Sequence, residues 1–162
     1  MTCEWRAVLL AGGRSSRMGT DKAALPWGDG TLLTHMRTLL LAAGAKDVVV
    51  SGDRPQFGGI PDGTPGTGPM GALAQLAPRL RDGAWVVVPV DMPLLSTDLL
   101  QALLATDAAC ACVEDHPLPM VLRIDARVRA GAVREAFDGF ADVAVHPFVP
   151  GVLSRIAGRK PA

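Results

Sequence analysis

Trp5-Arg6-Ala7-Val8-Leu9-Leu10-Ala11-Gly12-Gly13 is a short apolar run halted by two glycines, the pattern of a buried β-strand that opens into a turn. Downstream of it, Leu32, Leu33, Met36, Leu39 and Leu40 recur at helical spacing from Thr31 until Gly44, a natural C-terminal cap. Val48, Val49 and Val50 supply a second strand and complete a strand-helix-strand unit. Residues 51–69 carry six glycines and four prolines, which rules out a helix or a central strand and predicts a long loop. A loop of that length in a compact domain needs a ligand or a packing partner to justify it.

The rest of the chain continues the alternation. Residues 70–80 read as a helix with Leu73, Leu76 and Ala77 on one side, followed by a nearly all-apolar strand over residues 84–90. Such a strand is buried on both faces. Ser96 is a good N-cap for a helix over residues 97–104, whose Leu99, Leu100, Leu103 and Leu104 form a core-facing stripe. Strands are predicted over residues 108–113 and 119–124, and Asp125 caps a further helix running toward Phe137. Strands alternating with helices imply a three-layer α/β/α, Rossmann-like, mostly parallel sheet that binds ligands outside the carboxyl ends of its strands.

Composition bounds the function. A chain of 162 residues suggests one domain of about 150 residues, spanning the whole sequence. Sixteen basic residues balance sixteen acidic ones, so no strong overall field draws the chain to nucleic acid or to an anionic membrane. The longest apolar runs fall far short of the roughly 20 residues that span a bilayer, and the start lacks the apolar core of a secretory signal. A cytoplasmic chain is the expectation. The three cysteines show no Cys-x-x-Cys or zinc spacing, so disulfides are not expected. Cys110 and Cys112 share a face if their segment is a strand, and they read as small core side chains.

The chemistry concentrates in residues 10–22, Leu10-Ala11-Gly12-Gly13-Arg14-Ser15-Ser16-Arg17-Met18-Gly19-Thr20-Asp21-Lys22, directly after the first strand. Glycines let backbone N–H groups approach phosphate oxygens closely, and Arg14, Arg17 and Lys22 offer charge to offset a triphosphate. Neither the P-loop pattern nor the Gly-x-Gly-x-x-Gly dinucleotide fingerprint is present. No Ser-His-Asp or Cys-His constellation suggests covalent catalysis.

This segment resembles the Leu-x-Gly-Gly-x-Ser-x-Arg-Met-Gly-x-Asp-Lys signature of nucleotidyltransferases, above all the molybdenum cofactor guanylyltransferases of MobA type, and the similarity extends to about residue 125. The resemblance implies a loop that holds a triphosphate through Leu10, Ala11, Gly12, Gly13 and Lys22, with Arg17 as a further charge partner and Lys22, Asp91 and Arg17 as the catalytic set. Pro89-Val90-Asp91-Met92-Pro93 is a second match. It implies that Asp91, a hard oxygen ligand at the end of the most apolar strand, binds Mg²⁺. Pro65-Gly66-Thr67-Gly68-Pro69-Met70-Gly71 is similar to the family's Gly-Pro-Leu-x-Gly element, which follows an acidic residue, here Asp62. A carboxylate there accepts from guanine N1–H and N2–H₂ or from a ribose hydroxyl, and Gly66, Gly68 and Gly71 would let the backbone approach the base.

The implied reaction moves GMP from GTP to the phosphate of molybdopterin, or of its molybdenum form, with molybdoenzyme maturation proteins as further partners. His116-Pro117 resembles the family's His-Pro element on the acceptor side of the cleft, and Arg123 reads equally as a substrate-phosphate ligand or a solvated strand-end residue. Two departures keep alternatives open. Ser51 stands where the guanylyltransferases often carry Asn, which leaves a cytidylyltransferase, or a transferase for another metabolite, in play. The family's terminal Asn-x-Asn-Thr-Pro-like segment has no counterpart in Phe148-Val149-Pro150-Gly151-Val152-Leu153, which leaves room for a non-catalytic nucleotide-binding paralogue.

Overall fold

Strand β1 (Trp5–Leu10) forms where its apolar run predicts and lies inside a six-stranded sheet. The computed structural model describes residues 3–12, 21–61, 68–106, 110–113, 116–129 and 156–157, without the side chains of residues 68–71, 113, 116, 117, 156 and 157. Strand β1 pairs in parallel with β4 (Val48–Ser51) on one side and β5 (Gly83–Pro89) on the other. The sheet continues through β7 (His116–Ile124) and β6 (Cys110–Val113) to β8 (Ile156–Ala157), in the order β4-β1-β5-β7-β6-β8. Both β7 and β8 run against their neighbours, so four of the six strands share one direction. The sheet is mixed and mostly parallel, as the alternation of elements implies. The predicted strand at residues 119–124 begins three residues earlier, at His116, and runs antiparallel to β5.

Both faces of the sheet are covered. Ala7, Val8 and Leu9 in β1 and Val86, Val87 and Val88 in β5 are each 0% exposed, and successive strand side chains point to opposite faces. Each such valine or leucine contributes roughly 1.5–3 kcal/mol by leaving water. Helix α1 (Leu32–Ala42) buries Leu32, Leu33, Met36 and Leu40 and starts in a capping box. Within it the Thr34 amide donates to Thr31 Oγ1 at 3.3 Å, while the Thr31 amide donates to Thr34 Oγ1 at 2.9 Å. Gly44 closes the helix at φ +112°.

Helix α3 (Thr97–Leu104) starts as predicted, with the Leu99 amide donating to Ser96 Oγ at 3.2 Å. The Val128 amide donates to Asp125 Oδ1 at 2.9 Å, which bears out Asp125 as a cap. Residues 130–137 of that predicted helix lie outside the described residues. No helix among the described residues is long and apolar enough to cross a membrane.

Three features differ from expectation. Helix α2 covers Gly68–Leu76 and yields to a 3₁₀ turn at Ala77–Arg79, rather than spanning residues 70–80. Pro69 is compatible with a first helical turn, whereas Pro78 lacks the N–H that would continue the ladder. A small hairpin of β2 (Pro26–Trp27) and β3 (Gly30–Thr31), turned by Gly28 at φ +57°, precedes α1 and has no periodic signal long enough to predict it. The loop after β4 is ordered by a parallel bridge between Ser51 and Ile60. There the Ile60 amide donates to the Val50 carbonyl at 2.9 Å and the Gly52 amide to the Ile60 carbonyl at 2.8 Å.

Candidate functional site

Register brings the predicted residues together. Leu10 lies opposite Ser51 in β4 and opposite Pro89 in β5, so three parallel strands end on one edge. The Val90 amide donates to the Leu10 carbonyl at 3.1 Å and the Ala11 amide to the Ser51 carbonyl at 2.8 Å, which extends the ladder one step beyond the strands. The segments just past each strand therefore converge.

At this edge Lys22 Nζ donates to Asp91 Oδ2 at 3.2 Å. Lys22 opens the 3₁₀ turn Lys22–Ala24, which Asp21 caps by accepting from the Ala23 amide at 3.2 Å. Asp91 comes two residues after β5. Both side chains are about half exposed, at 46% and 47%, so the pair is open to a ligand.

A second ion pair lies behind the first. The Arg54 guanidinium grips both carboxylate oxygens of Asp21, Nη2 reaching Oδ1 at 2.6 Å, and Nη2 also donates to the Ala11 carbonyl at 2.9 Å. The Arg54 hydrogen bonds hold the Asp21 carboxyl below the usual carboxylate range, against a smaller opposing effect of burial. Gly52, at φ +129°, packs against the same stretch: a Cβ there would lie 2.7 Å from the Gly12 nitrogen. Neither Arg54 nor this glycine contact is legible in the sequence. Arg54 reaches back 43 residues to Ala11, and no local spacing encodes that.

Among the other candidates, Leu10, Ala11, Gly12 and Ser51 lie at the same carboxyl edge of the sheet. Ala11 has its amide engaged with Ser51 and its carbonyl with Arg54, and Ser51 itself is buried at 1% exposure. Gly68 is the first residue of α2. Gly13, Arg17 and Asp62 lie outside the described residues, as do residues 148–153. The backbone of His116 starts β7, which runs antiparallel to β5 and so begins at the edge where Asp91 sits.

Arg123 lies at the other edge. It pairs in register with Ala84 at the start of β5 and donates to the Leu104 carbonyl at 3.2 Å and to that of Thr106, at the C-terminal end of α3. Its guanidinium thus caps the carboxyl end of α3. Cys110 and Cys112 are buried thiols in β6, outside any disulfide. Burial, with a smaller repulsion from Cys112, pushes the Cys110 thiol up to about 12, so it stays a neutral core side chain.

Solved structures share this architecture. A nucleotidyl transferase from Methanothermobacter thermautotroptrophicus matches with a TM-score of 0.60 over 84% of this chain and 83% of its own, at 15% identity. The chain belongs to the MobA-like NTP transferase domain family, whose model matches residues 7–142. A molybdenum cofactor guanylyltransferase of Xanthomonas euvesicatoria pv. vesicatoria is 56% identical over 127 residues, covering 77% of this chain and 67% of the relative. One from Rhodobacter capsulatus is 30% identical over 179 residues, covering 94% of each.

Proposed function

We propose that this chain transfers GMP from GTP to the phosphate of molybdopterin or its molybdenum form, releasing pyrophosphate and forming molybdopterin guanine dinucleotide. The observation that carries the reading is the Lys22–Asp91 pair, at 3.2 Å, on the edge where the glycine-rich segment follows β1 in the chain, in a chain whose relatives bear the guanylyltransferase name. In the reaction an acceptor phosphate oxygen bonds to the α-phosphorus of GTP while the bond from the α-phosphorus to the bridging oxygen of the β-phosphate breaks. Pyrophosphate departs with that electron pair.

Such a transfer needs positioning and charge stabilisation more than a covalent nucleophile. Lys22 supplies a mobile point charge to the phosphates. Because the Ala11 N–H is engaged with Ser51, main-chain donation to phosphate falls to residues from Gly12 onward. A single half-exposed carboxylate fits Mg²⁺, an ion commonly held by one or two carboxylates plus substrate phosphates. Asp91 would hold it, and the ion would neutralise charge on the triphosphate. With nucleotide bound, the Lys22 ammonium would exchange Asp91 for phosphate oxygen.

Thermal shift with GTP, CTP, ATP and UTP, each with Mg²⁺, tests the base assignment. GTP should raise the melting temperature most. A larger shift with CTP would make the chain a cytidylyltransferase, and no shift with any nucleotide would remove the transferase reading.

A further inference from the structure

We propose that Arg54 is a positioning residue for the phosphate chain of the nucleotide: it clasps the two ends of the glycine-rich segment and thereby holds Lys22 at Asp91. The inference rests on the nucleotidyltransferase reading above and deepens it. Ala11 precedes the segment and Asp21 closes it, immediately before Lys22. One guanidinium, reaching in from the loop after β4, binds both: two hydrogen bonds to the Asp21 carboxylate and one to the Ala11 carbonyl. Its side chain is only 20% exposed, so solvent screens the clasp less than it screens an open surface pair.

The line of transmission is short. Asp21, gripped by Arg54, caps the turn Lys22–Ala24 through the Ala23 amide. That turn carries Lys22, whose Nζ meets Asp91. Arg54 is itself fixed by main-chain bonds that do not involve its guanidinium: its amide donates to the Gly52 carbonyl at 2.9 Å, and its carbonyl accepts from Phe57 at 3.0 Å and Gly59 at 2.9 Å. Gly59 makes this turn feasible, since a Cβ there would lie 2.5 Å from the Gly52 oxygen and 2.8 Å from the Arg54 nitrogen. Acceptors on two separate groups require the planar fork of arginine, which a lysine ammonium does not reproduce.

The charge arrangement separates this role from direct phosphate binding. The positive charge of Arg54 is already matched by Asp21, so it acts through Asp21 rather than on the nucleotide. Asp21→Asn discriminates by sign. Were Arg54 a phosphate ligand, removing its carboxylate partner would free it and tighten triphosphate binding; for a clasp, the same change loosens Lys22 and weakens binding.

The experiment measures GTP binding with Mg²⁺, and guanosine binding alongside, for the wild type, Arg54→Ala, Asp21→Asn and the double variant. Each single change should weaken GTP by about tenfold, the double should be no worse than the weaker single, and guanosine should change by less than about twofold. Hydrogen exchange at Ala23, Ala24 and Leu25 should rise in Arg54→Ala without any nucleotide. Equal or tighter GTP binding by Asp21→Asn, an equal loss for guanosine, or unchanged exchange would each overturn the clasp alone. A wild type that binds no GTP would remove the transferase reading and this inference with it.

Discussion

Lys22 Nζ and Asp91 Oδ2 lie 3.2 Å apart although 69 residues separate them in the chain. The sheet makes this contact: β1 and β5 are parallel neighbours in register, so the segments leaving their carboxyl ends meet at one edge. In the absence of a nucleotide the ammonium serves as the counter-ion of Asp91.

Lys22→Ala therefore has two effects of opposite sign. The Kd for GTP should rise by about tenfold or more through loss of a charge-assisted contact. Mg²⁺ alone should bind more tightly, because the ammonium no longer competes for Asp91. Calorimetric titration reads both, and an unchanged GTP affinity would contradict the role given to Lys22.

Gly52→Ala should be far more damaging than its size suggests. Its φ of +129° disfavours a side chain, and the new Cβ would lie 2.7 Å from the Gly12 nitrogen and 2.9 Å from the Gly12 Cα. Left-handed strain alone costs about 1–3 kcal/mol. Urea denaturation should show a loss of at least about 2 kcal/mol, with weaker GTP binding because Gly12 is displaced.

The clasp gives stability a defined acid limit. Arg54 lowers the folded-state pKa of Asp21, so its contribution is present above the unfolded-state value of about 3.9 and disappears as pH falls through the lower folded value. The melting temperature of Asp21→Asn should lie below that of the wild type at neutral pH, and the gap should close as pH falls from about 3.9 through the lower folded value. A gap that stays constant as the protein is acidified through that range would show that the carboxylate charge plays no part.

Thiol chemistry checks the core. Cys3 is exposed, whereas Cys110 and Cys112 are buried. A water-soluble thiol reagent at neutral pH should modify Cys3 rapidly in the folded protein and reach the other two only in denaturant. Rapid reaction of Cys110 would contradict its place in β6.

Much of this was legible in the sequence because it is locally encoded. The run from Trp5 to Leu10, the helical periodicity from Thr31, the cap at Ser96 and the apolar stripe of α3 each satisfy short-range rules of periodicity and hydrogen bonding, and each appears where those rules put it. Lys22 and Asp91 could be named as residues, but their meeting depends on strand order, which periodicity does not encode. Arg54 escaped altogether: within Gly52-Asp53-Arg54-Pro55 it looks like any turn residue, and only the return of the chain from Ile60 to Ser51 aims it at Asp21. The antiparallel course of β7 was equally hidden, since an apolar run does not state its direction.

The most direct measurement is pyrophosphate release from GTP with Mg²⁺ and molybdopterin, comparing the wild type with Asp91→Ala. The wild type should turn over, and Asp91→Ala should be slower by at least about a hundredfold with a melting temperature within about 2 °C, because a half-exposed ion pair stabilises the fold little. Tight GTP binding without turnover by the wild type, or undiminished turnover by Asp91→Ala, would contradict guanylyl transfer at this edge of the sheet.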